Sequence, residues 1–204
     1  ILGVVLSLMS QWTGWSMTAF YMPTIFEMVG IKDAAEAIMW TIIPNIANLI
    51  FTFIAIYLVD LAGRRPLYLG GAIVMAFSTA ALGLVLHTGV SNMVIVIISV
   101  AMVSAPHAIA LGALSWLVIS EIYPTRIRAR AMSVATIVLW GACIISTQLV
   151  PILFEKSKAI INSPAGVFFL CSAICVISFF YLFRFMPETK GRSIEEIAKS
   201  WTKK

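Results

Sequence analysis

Six long apolar runs, separated by short polar breaks, constrain the fold of this chain more than any other feature. A helix crosses a bilayer with about 20 apolar residues, each adding about 1.5 Å of rise. The runs cover residues 1–26, 37–59, 67–87, 92–119, 131–154 and 165–186. They leave little of the chain over, so the sequence predicts an all-α membrane protein. We expect a six-transmembrane-helix bundle over residues 1–186 and a polar tail over 187–204.

The composition indicates a bilayer as the solvent and argues against a nucleic-acid partner. Apolar residues make up 61% of the chain and charged residues 11%, whereas soluble domains have roughly 45–50% and about 25%. The net charge of +5 would suit nucleic acid, but the basic residues stand in short clusters and form no continuous basic face. We expect membrane lipid, and no nucleic acid, among the partners.

Basic residues fall mainly on one side of the predicted bundle. In membrane proteins Lys and Arg concentrate in cytoplasmic loops. The loops after spans two and four and the tail after span six hold eleven of the fourteen basic residues, namely Arg64, Arg65, Arg126, Arg128, Arg130, Arg184, Lys190, Arg192, Lys199, Lys203 and Lys204. On the other side lie Lys32 and, in the break predicted from Glu155 to Pro164, Lys156 and Lys158. We expect both ends to be cytoplasmic, in an integral multi-pass protein of the plasma (inner) membrane.

The tail predicts a short amphipathic helix on the cytoplasmic side. Ile194, Ile197 and Trp201 recur at helical spacing. Ser193 fits an N-cap, and Glu196 stands three residues later, as a capping box requires.

No pattern of catalytic or metal-binding residues stands out. Cys143, Cys171 and Cys175 lie inside apolar runs without a His or Asp at metal-ligand spacing, which indicates packing residues. The sequence shows no catalytic triad and no phosphate-binding loop. It therefore predicts no catalytic residues, no metal, no cofactor and no enzyme activity.

Three short motifs each begin where a span ends on the cytoplasmic side. Residues 60–66 read D-L-A-G-R-R-P, residues 121–128 read E-I-Y-P-T-R-I-R, and residues 187–192 read P-E-T-K-G-R. Taken in this order, the motifs resemble those of sugar-porter-type transporters of the major facilitator superfamily. The chain is similar to the C-terminal half of such a transporter, which is one half of the superfamily fold.

The resemblance implies an alternating-access carrier, in which two six-helix halves rock about a site near the bilayer midplane. The implied function is secondary active or facilitative transport of a small polar solute, a sugar or polyol. Ile1 lies inside an apolar run without an initiator Met, so we expect the N-terminal half of the same transporter to be a missing partner. In relatives, acids and arginines form a cytoplasmic charge latch between the halves; the matching residues are Asp60, Arg64, Arg65, Glu121 and Arg128.

The resemblance also implies a sugar site. The span-one pattern Q-Q-x-x-G-x-N aligns with residues 10–16, which keep the second Gln and the Gly but have Ser10 and Ser16 in place of an amide each. Ring hydroxyls need amide or hydroxyl partners, and the apolar sugar face needs an aromatic ring. The candidate substrate-binding residues are Gln11, Ser16, Asn48, Trp116 and Trp140. Phe20 and Tyr21 align with two tyrosines that follow the span-one pattern in the family, of which only Tyr21 is kept, and they are the candidate extracellular gate.

Several alternatives remain open from the residues alone. Gln11 and Asn48 could instead join helices, because amides do so in membrane bundles. Trp12, Trp15 and Trp40 are expected at interfaces or in packing. His107, one residue after Pro106 inside span four, is a candidate protonation site. It leaves an organic acid or other metabolite as an alternative cargo, and a non-transporting sensor or partner subunit is the alternative outside transport.

Overall fold

The computed structural model describes residues 2–90, 92–188 and 190, and they form a helical bundle. We number its spans one to six in chain order. The helices are Leu2–Trp12 (α1), Trp15–Phe20 (α2) and Met22–Met28 (α3) in span one; Ala34–Trp40 (α4) and Ile42–Ala62 (α5) in span two; Arg64–His87 (α6) in span three; Met93–Pro106 (α7), a π-helical segment over His107–Gly112 and Ala113–Ile122 (α8) in span four; Thr125–Ile161 (α9) in span five; and Gly166–Phe185 (α10) in span six. The predicted tail helix lies outside the described residues.

The all-helical prediction is confirmed over this part of the chain, which contains no strand. Spans two to six are each long and apolar enough to cross a membrane. The hydropathy pattern predicts one continuous helix for span one. This prediction is wrong, because the span is broken at two places. The first break is at Gly14, whose φ of +111° is unfavourable for any residue with a side chain.

Close packing at Gly14 explains why the break is held. A Cβ there would lie 3.0 Å from the Cβ of Cys171 and 3.1 Å from a methyl group of Thr79. The Cys175 thiol donates to the Thr13 carbonyl at 3.3 Å. Span six therefore supports the backbone of span one where its own hydrogen bonds are interrupted. The three cysteines are free and buried, as expected for packing residues.

The predicted breaks between spans are shorter in the structure. Gly63, with a φ of +86°, is the one residue between α5 and α6, so the turn predicted over residues 60–66 is mostly helical. The break predicted from Glu155 to Pro164 is wrong over residues 155–161, which continue α9. Charged side chains there remain exposed beyond the apolar stretch, and the helix ends where Asn162 takes a left-handed conformation.

Contacts between spans place the two interrupted helices beside each other. Span one packs on span five, where the Trp12 indole donates to the Ala142 carbonyl at 3.3 Å. Span three packs along span six, and Ser172 donates to the Ala76 carbonyl at 2.8 Å. Span two packs on span four. The first break of span one and the π-helical segment of span four then face each other, as the contact of Trp15 with His107 shows.

Candidate functional site

Two aromatic rings join the interrupted helices. Trp15, directly after the break in span one, stacks on His107, the first residue of the π-helical segment, with ring centroids 5.1 Å apart and planes 21° apart. The Nδ1 atom of His107 is buried and makes no hydrogen bond within the described part of the chain. Gly112 must stay small, because a Cβ there would lie 2.9 Å from the other ring nitrogen. The segment thus holds a polar ring at a fixed position inside the bundle.

Gln11 and Ser16 form a hydrogen-bonded pair across the same break. The Ser16 hydroxyl donates to the Gln11 side-chain carbonyl. Ser16 is buried and Gln11 is half-buried. The bond fixes the orientation of the amide, so its nitrogen remains as a donor for a ligand. Ser16 therefore acts on the predicted site by orienting Gln11, although it is shorter than the Asn of the family pattern.

Asn48 connects span two to span four. Its amide donates to the Ser104 carbonyl at 3.4 Å, about one helical turn before His107. The Ser104 hydroxyl in turn lies 3.5 Å from the carbonyl of Pro44. This contact matches the helix-joining role of a membrane amide. Asn48 is half-buried. Its contact point on span four lies near the stacked rings of Trp15 and His107.

The two remaining tryptophans of the predicted site are less closely connected to it. Trp116 is half-buried on α8, four residues after Gly112. Trp140 on span five is 57% exposed. Among the described residues, neither makes a hydrogen bond or ring contact with Gln11, Asn48 or His107. The structure therefore brings together the span-one, span-two and span-four residues, while Trp140 stands on an open face of the bundle.

The predicted extracellular gate residues have different surroundings. The Tyr21 hydroxyl donates to the Thr147 carbonyl at 2.8 Å, and its ring lies edge-on to Phe154 at 6.1 Å. Phe20 is 63% exposed. Tyr21 thus ties span one to span five, while Phe20 points away from the core. The two rings do not form one unit.

Ion pairs at the opposite end join three of the five predicted latch residues. Arg64 contacts Glu121 at 3.0 Å and Asp60 at 3.9 Å. The side chains of Arg64 and Glu121 are only 16% and 22% exposed, whereas that of Asp60 is 83% exposed. The pair with Glu121 therefore contributes more than the pair with Asp60.

The other two latch residues use their guanidinium groups on main-chain carbonyls. Arg65 donates to the Phe183 carbonyl at 2.6 Å, and Arg128 donates to the Tyr123 carbonyl at 3.4 Å. The C-terminal end of a helix carries unpaired carbonyls and a partial negative charge. These arginines bind such helix ends in this structure, so the ion pairs seen among the described residues join only Asp60, Arg64 and Glu121. A latch between the two halves stays a prediction for all five residues.

Sequence reasoning missed the role of Glu188. Its carboxylate accepts the main-chain N–H groups of Arg64 and Arg65, each at 3.1 Å, at the start of α6. Two residues on, the Lys190 ammonium donates to the Leu61 carbonyl at 2.9 Å, at the end of α5. The segment after span six therefore caps both helix ends at the turn through Gly63. The sequence signal for this capping role was the acid and the Lys of the P-E-T-K-G motif. This motif starts where span six ends.

The stack of Trp15 on His107 was also not predicted, because an isolated tryptophan in an apolar run fits an interface anchor equally well. Its position directly after Gly14, in the segment that carries Gln11 and Ser16, was the available signal. The partner His107 is more than 90 residues away in sequence, and no local pattern joins the two.

Known proteins match the chain over nearly its full length. A family model described as sugar (and other) transporter matches residues 1–201. The arabinose-proton symporter of Bacillus subtilis (strain 168) is 32% identical over 100% of this chain and 42% of that symporter. The D-xylose-proton symporter of Escherichia coli (strain K12) is 31% identical over 98% of this chain and 41% of that protein. A crystal structure of a double-tryptophan mutant of XylE, a proton:xylose symporter, superposes with a TM-score of 0.90 at 30% identity, covering 98% of this chain and 42% of that one.

These matches define an integral multi-pass membrane protein with half of a major facilitator fold. The chain spans about two fifths of the length of the curated relatives it matches. It belongs to the sugar (and other) transporter family.

Proposed function

We propose that this chain is the C-terminal half of a transporter that moves a sugar or polyol across a membrane by alternating access. The observation that carries the proposal is the meeting of two interrupted helices, span one at Gly14 and span four at its π-helical segment. In secondary transporters, substrate sites form at discontinuous helices near the bilayer midplane. The oriented amide of Gln11 lies at this meeting point. Asn48 of span two contacts span four at Ser104, about one helical turn before the π-helical segment.

Sugar chemistry fits the groups at this point. Gln11 and Asn48 offer amides for ring hydroxyls, and Trp15 and Trp116 offer aromatic faces for the C–H surface of a sugar. We assign Trp140 to the wall that the N-terminal half completes, because its ring is exposed on this half alone. The cargo would leave chemically unchanged, since we assign no covalent step to these residues.

Substrate binding to the full-length transporter tests the assignment. Gln11→Ala or Asn48→Ala should weaken sugar binding about three- to tenfold, because one direct hydrogen bond contributes about 0.5–1.5 kcal/mol. Calorimetric titration of the purified protein with arabinose or xylose measures the change. Asn45→Ala is the matched control: Asn45 lies on the same helix, is exposed, and its amide donates to the Thr41 carbonyl of its own helix. Unchanged sugar affinity in both site mutants would place the site elsewhere.

His107 supports a second candidate cargo, an organic acid, because its buried Nδ1 atom has no partner among the described residues. A protonated imidazole would bind an anionic cargo such as an organic acid, or would carry a coupling proton. In the same titrations, His107→Phe preserves an aromatic ring against Trp15 and removes both nitrogens. If the affinity depends on pH in the wild type and this dependence disappears in His107→Phe, protonation at His107 is supported. If the dependence persists in the variant, protonation at His107 is ruled out as its cause.

We also propose that both ends of the chain face the cytoplasm, in the plasma (inner) membrane. The eleven basic residues on that side, against three on the other, support this orientation. A cysteine placed at the exposed Arg126 should react with a membrane-impermeant reagent in inside-out vesicles and remain unlabelled in intact cells. Labelling from the outside alone would reverse the proposed orientation.

A further inference from the structure

An apolar groove runs between spans three and six on the outer surface of the bundle. Its volume is about 260 Å³. Ala72, Ala76 and Ala80 of α6 form one wall, and Val176 and Phe180 of α10 form the other. Eight residues separate Ala72 from Ala80, so the groove extends about 12 Å along the helix. This is a large part of one leaflet, since the whole hydrocarbon core is about 30 Å thick.

The surface around this groove is suited to lipid and not to a protein partner. Every exposed residue of α6 from Gly70 to Leu84 is apolar, and so is every exposed residue of α10 from Leu170 to Phe183. Spans two and five differ, because Asn45, Thr52 and Gln148 are exposed there. Polar side chains inside a membrane face protein or a water-filled cavity. The missing half therefore belongs on spans two and five, which leaves the groove to the bilayer.

Two arginines stand at the end of the groove where α6 begins and α10 ends. Arg184 follows Phe180 by one turn on the same face of α10, and Arg65 precedes Ala72 by two turns on the same face of α6. The Arg65 guanidinium lies 5.8 Å above the Phe183 ring, and that of Arg184 lies 5.5 Å from the Phe185 ring. Within the described residues, no carboxylate forms an ion pair with either arginine. One nitrogen of the Arg65 guanidinium donates to the Phe183 carbonyl, and its other N–H groups remain as donors for a phosphate.

We propose that this groove binds an anionic phospholipid, with one acyl chain between Ala76 and Phe180 and the phosphate on Arg65 and Arg184. Guanidinium groups bind phosphate oxygens in a planar two-bond geometry, and aromatic rings hold them at the membrane interface. The apolar lining takes the chain, while the charge at one end selects the headgroup. The proposed lipid site lies on spans three and six, whereas the candidate substrate residues lie on other spans. The lipid proposal is therefore independent of which cargo the transporter moves.

The test uses the full-length transporter, delipidated in nonionic detergent and titrated with phosphatidylglycerol or phosphatidylcholine. Retained lipid is counted by native mass spectrometry. We expect phosphatidylglycerol to bind more tightly than phosphatidylcholine. Arg184→Gln should reduce the affinity for phosphatidylglycerol about fivefold, which corresponds to about 1 kcal/mol for one basic residue at the membrane surface, and should leave phosphatidylcholine binding unchanged.

Two further variants separate the groove from a general effect of charge. Arg126→Gln removes an exposed arginine from the loop after span four and should leave the preference for phosphatidylglycerol intact. Ala80→Leu narrows the groove and should weaken retention of both lipids, with circular dichroism confirming that the helices persist. Equal binding of the two lipids to the wild type, or equal losses in Arg184→Gln and Arg126→Gln, would overturn the proposal.

Discussion

Arg64→Ala in the full-length transporter should shift the equilibrium from outward-facing toward inward-facing states by a factor of about 5 to about 150. Arg64 is the central cation of the ion pairs at the ends of spans two to four, with Glu121 at 3.0 Å. Exposed pairs contribute about 1 kcal/mol or less, and removing one partner of a buried pair costs about 3–5 kcal/mol. Both side chains are mostly but not fully buried. We therefore expect Arg64→Ala to remove about 1–3 kcal/mol of stabilisation from the outward-facing state, which corresponds to the shift in populations given above.

The measurement is the reactivity of a cysteine at Trp116 toward an impermeant reagent added from the cytoplasmic side. Trp116 lies on α8 between the candidate site and Glu121. Reactivity should rise in Arg64→Ala and in Glu121→Gln, and the double mutant should add little, because both remove the same pair. Arg126→Ala is the control for loss of a basic residue. Reactivity that stays at the wild-type level in Arg64→Ala would show that the pair does not gate the carrier.

Arg128→Ala separates the two kinds of arginine in this region. The guanidinium of Arg128 contacts the Tyr123 carbonyl at a long 3.4 Å, and one of its terminal nitrogens is buried without a partner among the described residues. We therefore expect a smaller rise in reactivity than in Arg64→Ala. This ranking follows from the structure, since the motif alone treats the two arginines alike.

The 204-residue chain by itself should show no saturable sugar uptake. The candidate site has one wall, and Trp140 and Gln148 are exposed on the faces that a second half would cover. Polar groups left without partners in hydrocarbon cost several kcal/mol each. Reconstituted into vesicles, the chain should take up labelled arabinose or xylose no faster than empty vesicles.

Co-expression with the N-terminal half provides the positive arm of the experiment. Uptake should return when the two halves are produced together, and it should be lost again with Gln11→Ala and Asn48→Ala combined. Saturable uptake by the purified chain alone, sensitive to the same two substitutions, would contradict the requirement for the second half. Measuring the mass of the reconstituted particle then shows whether two copies replace the missing partner.

The parts of the fold that could be predicted from the sequence are those set by the bilayer. Apolar runs of membrane length located the spans, because only helices satisfy the backbone inside hydrocarbon. Hydropathy does not detect a break that remains apolar, so the interruption at Gly14 was missed. It depends on Cys171 and Thr79, which are distant in sequence. The extension of α9 through Ile161 was missed because charged residues continue a helix once it leaves the membrane.

The residues of the candidate site could be proposed from the sequence, and their role in binding stays a prediction; the contacts among them could not be foreseen. Gln11, Ser16 and Asn48 were identified by alignment with a family pattern, and the structure joins them to neighbouring residues at the two interrupted helices. The stack of Trp15 on His107 and the capping by Glu188 each connect residues about 90 or more positions apart. Such contacts depend on how the spans pack, and spacing along one helix does not reveal them.

The π-helical segment has a consequence for the rest of span four. A π turn accommodates one more residue than an α turn, and one residue of an α-helix corresponds to a rotation of roughly 100° and a rise of about 1.5 Å. Trp116 and Glu121 both lie on α8, the helix that follows the segment. Rewinding His107–Gly112 would turn both side chains together, one beside the candidate site and the other in the ion pair with Arg64. A single change of winding would thus link the state of the site to the state of the charges at the membrane surface.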